Sequence, residues 1–121
     1  MRLHMEPLEE AIMDARSHIY RYECAGVAYH SRASIMPVHP SNGKYITAED
    51  IAPQIRTSND WHTPLSKVIA LENTISGAVV PLDEIQRISE LAQRHKLKMH
   101  LDGARLWNAS VATGVSLREY G

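Results

Sequence analysis

Apolar positions along the chain fall into strand-like runs. Residues 10–14 and 33–38 are short apolar stretches typical of extended chain. Residues 68–71 are apolar without alternation, as in a strand that is buried on both faces of a parallel sheet. Residues 97–101 alternate between apolar and polar side chains, which indicates a half-buried strand. The pattern therefore predicts four strands.

Helix-like spacing separates these runs. Between Pro81 and His95 the apolar residues form one stripe, and Asp83 and Arg87 make a favourable i,i+4 pair on the other face. Apolar and aromatic spacing also predicts a helix over residues 17–30, with Gly26 as its weak point. These are the two longest helices that the pattern predicts.

Turn and capping residues mark the remaining elements. Residues 40–43 predict a turn, since Asn and Gly accept positive φ and Pro blocks continuation. Thr47 and Asp50 form an approximate capping box for a helix that Pro53 keeps short, and another helix is expected over residues 104–112. Strands and helices alternate in this order, which predicts an α/β fold with an open, mostly parallel sheet and crossover helices.

A second capping box lies close to the last residue. Ser116 and Glu119 have the spacing of a helix start, yet only two residues follow them. From this we expect the chain to be a fragment of a longer protein or a truncated gene product.

Composition and charge narrow the function classes. The chain has 121 residues and a formal net charge of −1, with 13 Lys and Arg against 14 Asp and Glu. This balance excludes a strong electrostatic case for nucleic acid or an anionic membrane as partner. There is one cysteine, which excludes an internal disulfide, and no apolar stretch approaches the roughly 18 residues of a spanning helix. With no secretory signal pattern, we expect a single domain in a cytoplasmic protein.

The histidines do not follow a recognised metal-binding pattern. No pair has ligand spacing such as H-E-x-x-H, and Cys24 has no C-x-x-C partner. We therefore expect no metal site, although the chain has several histidines that could suggest one: His4, His30, His39, His95 and His100.

Polar clusters follow the predicted strands. In open α/β sheets, ligands bind beyond the carboxyl ends of strands. Three clusters qualify, at residues 14–23, 72–74 and 102–105, and His62 stands in the loop before the second.

Three motifs in these clusters resemble those of one family. They are SHIYRYE at residues 17–23, LENT at residues 71–74 and HLDGARLWNA at residues 100–109. From about Asp14 to its end, the chain resembles the central part of threonine aldolases, which are fold-type I enzymes that use pyridoxal 5'-phosphate. The resemblance implies that residues 1–121 are part of the large, cofactor-binding domain.

The resemblance implies roles for two residues of the third motif. Asp102 would hydrogen-bond the pyridine nitrogen of the cofactor, because a protonated ring is a better electron sink. From spacing alone, Asp102 suits a helix N-cap better. Arg105 would contact the phenolic oxygen of the cofactor or the carboxylate of the amino-acid substrate, which a planar fork of donors binds well.

Two histidines would contribute to binding and catalysis by the same resemblance. His18 would stack on the pyridine ring and exchange protons with the substrate. His62 would lie near the substrate hydroxyl, where a neutral imidazole accepts a proton, although a water or a phosphate oxygen could also be the base. Glu23 and Asn73 are expected to be pocket residues.

The sequence also departs from the family pattern. The Schiff-base lysine, the phosphate-binding segment and the C-terminal domain with its second carboxylate-binding arginine are expected outside residues 1–121. Near Glu23 the family usually has paired glycines, whereas Cys24-Ala25-Gly26 keeps one. This departure is acceptable if the first position does not need positive φ. No lysine in the chain stands in the family's motif, so none is given that role: Lys44, Lys67, Lys96 and Lys98.

The resemblance implies cleavage of L-threonine or L-allo-threonine to glycine and acetaldehyde, in threonine catabolism and glycine biosynthesis. It also implies a homo-oligomer, commonly a tetramer, whose sites use residues of neighbouring subunits. Two alternatives remain open. One is another fold-type I lyase, such as a phenylserine aldolase or an aromatic amino-acid β-eliminating lyase. The other is a non-catalytic truncated remnant.

The isolated chain is expected to be inactive and poorly soluble or molten. It has no lysine in the family motif, and we expect the strand at residues 68–71 and the crossover helices to lack neighbouring strands.

Overall fold

Four parallel strands form one sheet in the computed structural model, which describes residues 1–57 and 60–121. The spatial order is β2-β1-β3-β4, and each neighbouring pair is parallel. Parallel neighbours require crossover connections, which the helices supply. The strands are β1 (Glu10–Asp14), β2 (Ser34–Val38), β3 (Ser66–Glu72) and β4 (Lys98–Asp102). The predicted α/β class with a mostly parallel sheet is confirmed.

The strand predictions agree with the structure to within two residues. The strand at residues 10–14 is confirmed as predicted, and β3 extends the run at 68–71 at both ends. The fourth strand is one residue later than expected, so Asp102 is its last residue. β3 pairs with both β1 and β4, so the expectation that residues 68–71 would lack neighbouring strands is wrong.

Helices cover both faces of the sheet. The helices are α1 (His18–Arg21), α2 (Gly26–Ser31), α3 (Ala48–Ile51), α4 (Leu82–Arg94) and α5 (Leu106–Thr113), with short 3-10 turns at Glu23–Ala25, Ala52–Gln54 and Leu117–Tyr120. On one face Ile12 and Ile69 pack in a core with Ile51 of α3 and Ile88 of α4. On the opposite face a smaller core contains Met13, Val68 and Ala70, against which Ile19 and Val27 pack.

The predicted continuous helix over residues 17–30 is wrong. The chain breaks at Glu23, Cys24 and Ala25, whose φ angles of 61°, 49° and 59° are left-handed. Gly26 is not the break, because its φ of −55° is helical and it begins α2. Helical spacing continues across the break because side chains of both short helices pack on the same face of the sheet.

The break also decides whether the missing glycine matters. The family's paired glycines are replaced in part by Cys24 and Ala25, and both of these residues have positive φ. The replacement would be free of strain only if the first position did not need positive φ, and this condition is not met. A left-handed conformation costs a residue with a side chain about 1–2 kcal/mol. The chain carries this strain between α1, which begins with His18, and α2.

The two predicted capping boxes are confirmed, whereas the ion pair predicted on α4 is different. Thr47 and Asp50 form the capping box of α3. Ser116 and Glu119 form a second box, which starts a single 3-10 turn. On α4 the guanidinium of Arg87 binds the carboxylates of Glu84 and Glu49 instead of pairing with Asp83.

Candidate active site

Three carboxylates end three strands at one edge of the sheet. Asp14 is the last residue of β1, Glu72 of β3 and Asp102 of β4. Parallel strands bring these ends together, and we call this side the carboxyl edge. Glu72 and Asp102 are register partners on neighbouring strands, so their side chains emerge on the same face. Asp14 extends from the opposite face, because β1 places its Ile12 in the core beneath α3 and α4.

The Glu72 carboxylate joins two of the residues singled out by the sequence. Glu72 is only 7% exposed. Its Oε2 accepts a hydrogen bond from the backbone N–H of His18 at 2.7 Å, and its Oε1 accepts one from Arg105 Nη1 at 3.0 Å. The loop after β1 and the loop after β4 are thus both bound to the end of β3. Sequence reasoning gave Glu72 no role, although its place at the end of a buried strand was a signal.

The His18 imidazole lies at the wall of a small cleft. Its Nδ1 is 3.2 Å from Oε1 of Glu23, and its ring centroid is 4.9 Å from that of Tyr22. The imidazole is half-buried. Because Glu23 engages Nδ1, the ring has a defined orientation and Nε2 is left for a ligand.

The cleft has a volume of about 270 Å³ and a cationic lining. Arg16 is engaged with Asp14 at 2.8 Å and with two loop carbonyls, while Arg21 donates from Nε to the carbonyl of Ala15 at 3.0 Å. Arg105 is the half-exposed arginine that Glu72 holds. Guanidinium groups in this arrangement attract a small anion. The lining residues are Arg16, His18, Arg21, Tyr22, Glu72, Ser76, Gly77 and Arg105.

Asp102 lies beside this cleft and turns the chain that follows β4. Its Oδ1 accepts a hydrogen bond from the backbone N–H of Ala104 at 3.1 Å. The N-cap position of α5 belongs to Arg105, so Asp102 forms a local turn and is not the helix cap that spacing alone favours. Its second oxygen, Oδ2, accepts no hydrogen bond within residues 1–57 and 60–121.

Asn73 has a structural position next to the cleft. Its side chain is fully buried and exchanges two hydrogen bonds with the backbone of Val80, at 3.1 and 3.2 Å. It therefore holds the loop that leads into α4, whereas Glu23 contacts His18 directly.

The structure does not bring His62 to this cluster within one chain. His62 lies before β3, at the opposite side of the sheet, which we call the amino edge. β3 has seven residues, so at about 3.3 Å per residue the two edges are about 20 Å apart. His62 is exposed, and its ring lies 3.8 Å from that of Trp61. A cleft of about 600 Å³ opens beside it.

A buried ion pair closes the base of the loop that carries His62. Glu10 is 1% exposed, and it accepts hydrogen bonds from Arg56 Nη1 at 2.9 Å and from Ser66 Oγ at 3.2 Å. Burial raises the pKa of the Glu10 carboxyl above its usual range, while the Arg56 charge and the Ser66 hydroxyl lower it by less.

The described part of the chain has neither a cluster of metal-ligating side chains nor a membrane-spanning helix. No three His, Cys, Asp or Glu side chains within it are grouped so that they could hold a metal ion. None of its helices combines the length and the apolar character needed to cross a membrane.

The chain has an α/β fold in which polar side chains meet at the carboxyl ends of parallel strands, as in enzymes that bind a ligand at this edge of the sheet. The family model of beta-eliminating lyases matches residues 1–121. The chain therefore belongs to the beta-eliminating lyase family.

The chain is similar in sequence to two fungal proteins. The chain is 48% identical over 121 residues to the "Probable low-specificity L-threonine aldolase" of Schizosaccharomyces pombe, which covers 99% of this chain and 32% of that protein. It is 45% identical over 118 residues to the "Low-specificity L-threonine aldolase" of Candida albicans, covering 96% of this chain and 32% of that protein. The chain spans about a third of the length of these relatives.

A solved structure has the same arrangement of strands and helices. The threonine aldolase of Leishmania major superposes with a TM-score of 0.81 and 25% sequence identity, over 98% of this chain and 34% of that one. The similarity covers nearly all of the present chain and agrees with the implied threonine aldolase fold.

Proposed function

We propose that the protein containing this chain is a pyridoxal 5'-phosphate-dependent aldolase that cleaves L-threonine or L-allo-threonine to glycine and acetaldehyde. One observation carries the proposal. Glu72 binds both His18 and Arg105 at the carboxyl edge, directly beside Asp102. The names of the fungal relatives support the same reaction.

The residues at this edge fit the chemistry of the cofactor. A carboxylate suits a protonated pyridine nitrogen, and Asp102 keeps one oxygen without a donor among the described residues. The His18 imidazole is a flat ring whose orientation Glu23 defines. When bound, pyridoxal phosphate supplies an electron sink for the pair released at Cα.

Arg105 would hold the carboxylate of the amino acid. Glu72 engages only its Nη1, so Nη2 and Nε remain for a ligand in the cleft. A guanidinium binds a carboxylate through two parallel hydrogen bonds, which fixes the orientation of the amino acid as well as its position.

His62 would act on the substrate in a neighbouring copy. The two edges of one chain are too far apart for His62 and Arg105 to contact one small substrate, and His62 is exposed at the amino edge. In a homo-oligomer, by resemblance a tetramer, the amino edge of one chain would cover the carboxyl edge of another. A neutral imidazole there could accept the proton of the β-hydroxyl.

The proposed setting is the cytoplasm, where the reaction would degrade threonine and form glycine. The substrate is a small amino acid, in agreement with the size of the cleft at the carboxyl edge.

A product assay tests the proposal against the other lyases. The native protein, loaded with pyridoxal phosphate, is incubated separately with L-threonine, phenylserine and an aromatic amino acid. Glycine and acetaldehyde from L-threonine are the expected products. Benzaldehyde from phenylserine with no acetaldehyde from L-threonine would identify a phenylserine aldolase. Pyruvate and ammonia from the aromatic amino acid would identify a β-eliminating lyase.

The mass of the native protein separates the proposal from an inactive remnant. We expect a product well above the 13.6 kDa of these 121 residues, together with turnover. A native product of 13.6 kDa that turns over none of the three substrates would overturn the proposal.

A further inference from the structure

We propose that Glu72 is a positioning residue that sets Arg105 and His18 for one ligand. The inference rests on the proposed function, since it assigns Arg105 to the substrate carboxylate. It adds a residue to the site that makes no contact with the reacting atoms and controls two residues that do.

Glu72 connects two distant parts of the chain at this edge. Its two oxygens accept from donors 54 residues upstream and 33 residues downstream in the chain. The first donor is the N–H that begins α1, and Ser17, at the N-cap position, makes no side-chain cap bond there. Glu72 therefore caps the helix that carries His18 and also holds Arg105.

Only a carboxylate of this length satisfies both donors. Each oxygen of Glu72 faces an N–H group, so an isosteric amide would point its NH2 group at one of them. Glutamine can thus keep either the His18 contact or the Arg105 contact, and it loses the charge that holds the guanidinium.

Burial makes the arrangement rigid on one side only. Glu72 is enclosed at the end of β3, one of the two interior strands, whereas Arg105 is half-exposed. The carboxylate is thus the fixed point, and the guanidinium is the mobile partner that it orients toward the cleft. Without Glu72, the Arg105 side chain would sample other rotamers in solvent.

The chain contains a matched control in Glu84. This carboxylate is 8% exposed, accepts a backbone N–H from Ala48 at 2.8 Å and binds Arg87 Nη1 at 2.7 Å. It has the same two kinds of partner as Glu72, but it lies on α4 and does not line the cleft. Substitution of either glutamate should therefore lower the stability of the protein by a similar amount, so a difference in KM between the two variants cannot come from stability.

The experiment compares Glu72→Gln with Glu84→Gln in the native, full-length protein loaded with pyridoxal phosphate. KM and kcat for L-threonine are measured, together with deuterium exchange of the peptides that contain His18 and Ala48. For Glu72→Gln we expect KM to rise about tenfold or more with a smaller change in kcat, and faster exchange at His18. For Glu84→Gln we expect faster exchange at Ala48 and a KM within about twofold of wild type.

Glu72→Asp is the second variant, in case the glutamine protein does not fold. It keeps the charge but is one methylene shorter, so KM should lie between those of the wild type and Glu72→Gln. Equal KM values for the glutamine variants of residues 72 and 84, or unchanged exchange at His18 in both Glu72 variants, would overturn the inference. A wild-type protein that forms no acetaldehyde would overturn the proposed function instead, and the exchange data would still decide whether Glu72 holds His18.

Discussion

The two edges of the sheet each hold a buried glutamate bound to an arginine, yet the two ion pairs differ in the residues that they position. At the amino edge Glu10 binds Arg56 at 2.9 Å, and at the carboxyl edge Glu72 binds Arg105 at 3.0 Å. The second partner differs. Glu10 takes the hydroxyl of buried Ser66, whereas Glu72 takes the backbone N–H of the residue whose imidazole lines the cleft.

The presence of a buried ion pair does not by itself distinguish a structural site from a ligand-binding site. Both carboxylates are buried and both arginines are partly exposed. A buried pair of this kind adds little net stability, but removing one partner is costly because it leaves a charge without compensation. What distinguishes the carboxyl edge is that the groups held there, His18 and Arg105, face an open cleft.

The largest expected effect lies at the carboxyl edge. Asp102→Ala should lower turnover of L-threonine by the full-length protein about a thousandfold or more, because the pyridine ring of the cofactor would lose the carboxylate that we propose keeps it protonated. The melting temperature should change little, since among the described residues the Asp102 side chain makes one local hydrogen bond. The control is Asp83→Ala, an exposed carboxylate on α4. Near-normal turnover by Asp102→Ala would contradict the placement of the chemistry at this edge.

The next test asks whether the amino edge joins the site of another copy. His62→Ala and Asp102→Ala should each be nearly inactive. If His62 acts on a neighbour's substrate, random mixing of the two variants gives hybrid pairs with one intact site, and about a quarter of wild-type activity returns. Mixtures are prepared by co-expression and assayed for acetaldehyde. A mixture no more active than its components would contradict a role for His62 between subunits.

A third change should act on stability and spare the carboxyl edge. Arg56→Met leaves the Glu10 charge without its partner and should lower the free energy of unfolding by about 2 kcal/mol. Affinity for pyridoxal phosphate, followed by absorbance, should stay within about twofold of wild type because the proposed cofactor site lies at the other edge. Arg94→Met, at an exposed position near the end of α4, is the control. A loss of cofactor affinity well beyond twofold in Arg56→Met, with Arg94→Met unchanged, would contradict the distinction between the edges.

The pH dependence of stability should also distinguish the amino edge. Because the pKa of Glu10 is raised in the folded protein, its protonated form favours folding, and that contribution is lost as pH rises through the folded pKa. The melting temperature of the wild type, measured relative to Glu10→Gln, should therefore fall as pH rises from about 4 to 7. A difference that grows with pH over this range would contradict the direction of the shift.

The smallest effect concerns the strained break after His18. Ala25→Gly should stabilise the protein by about 1 kcal/mol, since glycine adopts positive φ without the steric cost. Ala28→Gly, inside α2, should instead destabilise it by about the same amount. Urea midpoints of the two variants give the comparison. Equal destabilisation by both changes would show that Ala25 carries no strain.

Local rules predicted much of the fold. Apolar runs located the four strands, and a single apolar stripe located α4. The break at residues 23–25 was not predictable, because no glycine marks it and the apolar spacing continues across it. The shift of β4 by one residue reflects the ladder with β3, which pairs Glu72 with Asp102.

The site was predictable in part. Because ligands bind beyond the carboxyl ends of strands in open α/β sheets, the sequence predicted the candidate site among the residues that follow β1, β3 and β4. Because His62 precedes β3, the sequence already indicated that it lies at the amino edge. The family resemblance nevertheless led us to group it with the residues of the carboxyl edge. The role of Glu72 depends on two donors meeting one carboxylate from distant parts of the chain, which neither periodicity nor spacing shows.

The most direct test of the account is a crystal structure of the native protein with bound pyridoxal phosphate. The account predicts the pyridine ring at the carboxyl edge, stacked on the His18 imidazole with its nitrogen facing the Asp102 carboxylate. A cofactor bound at the amino edge, or at the carboxyl edge with neither His18 nor Asp102 in contact with the ring, would contradict it.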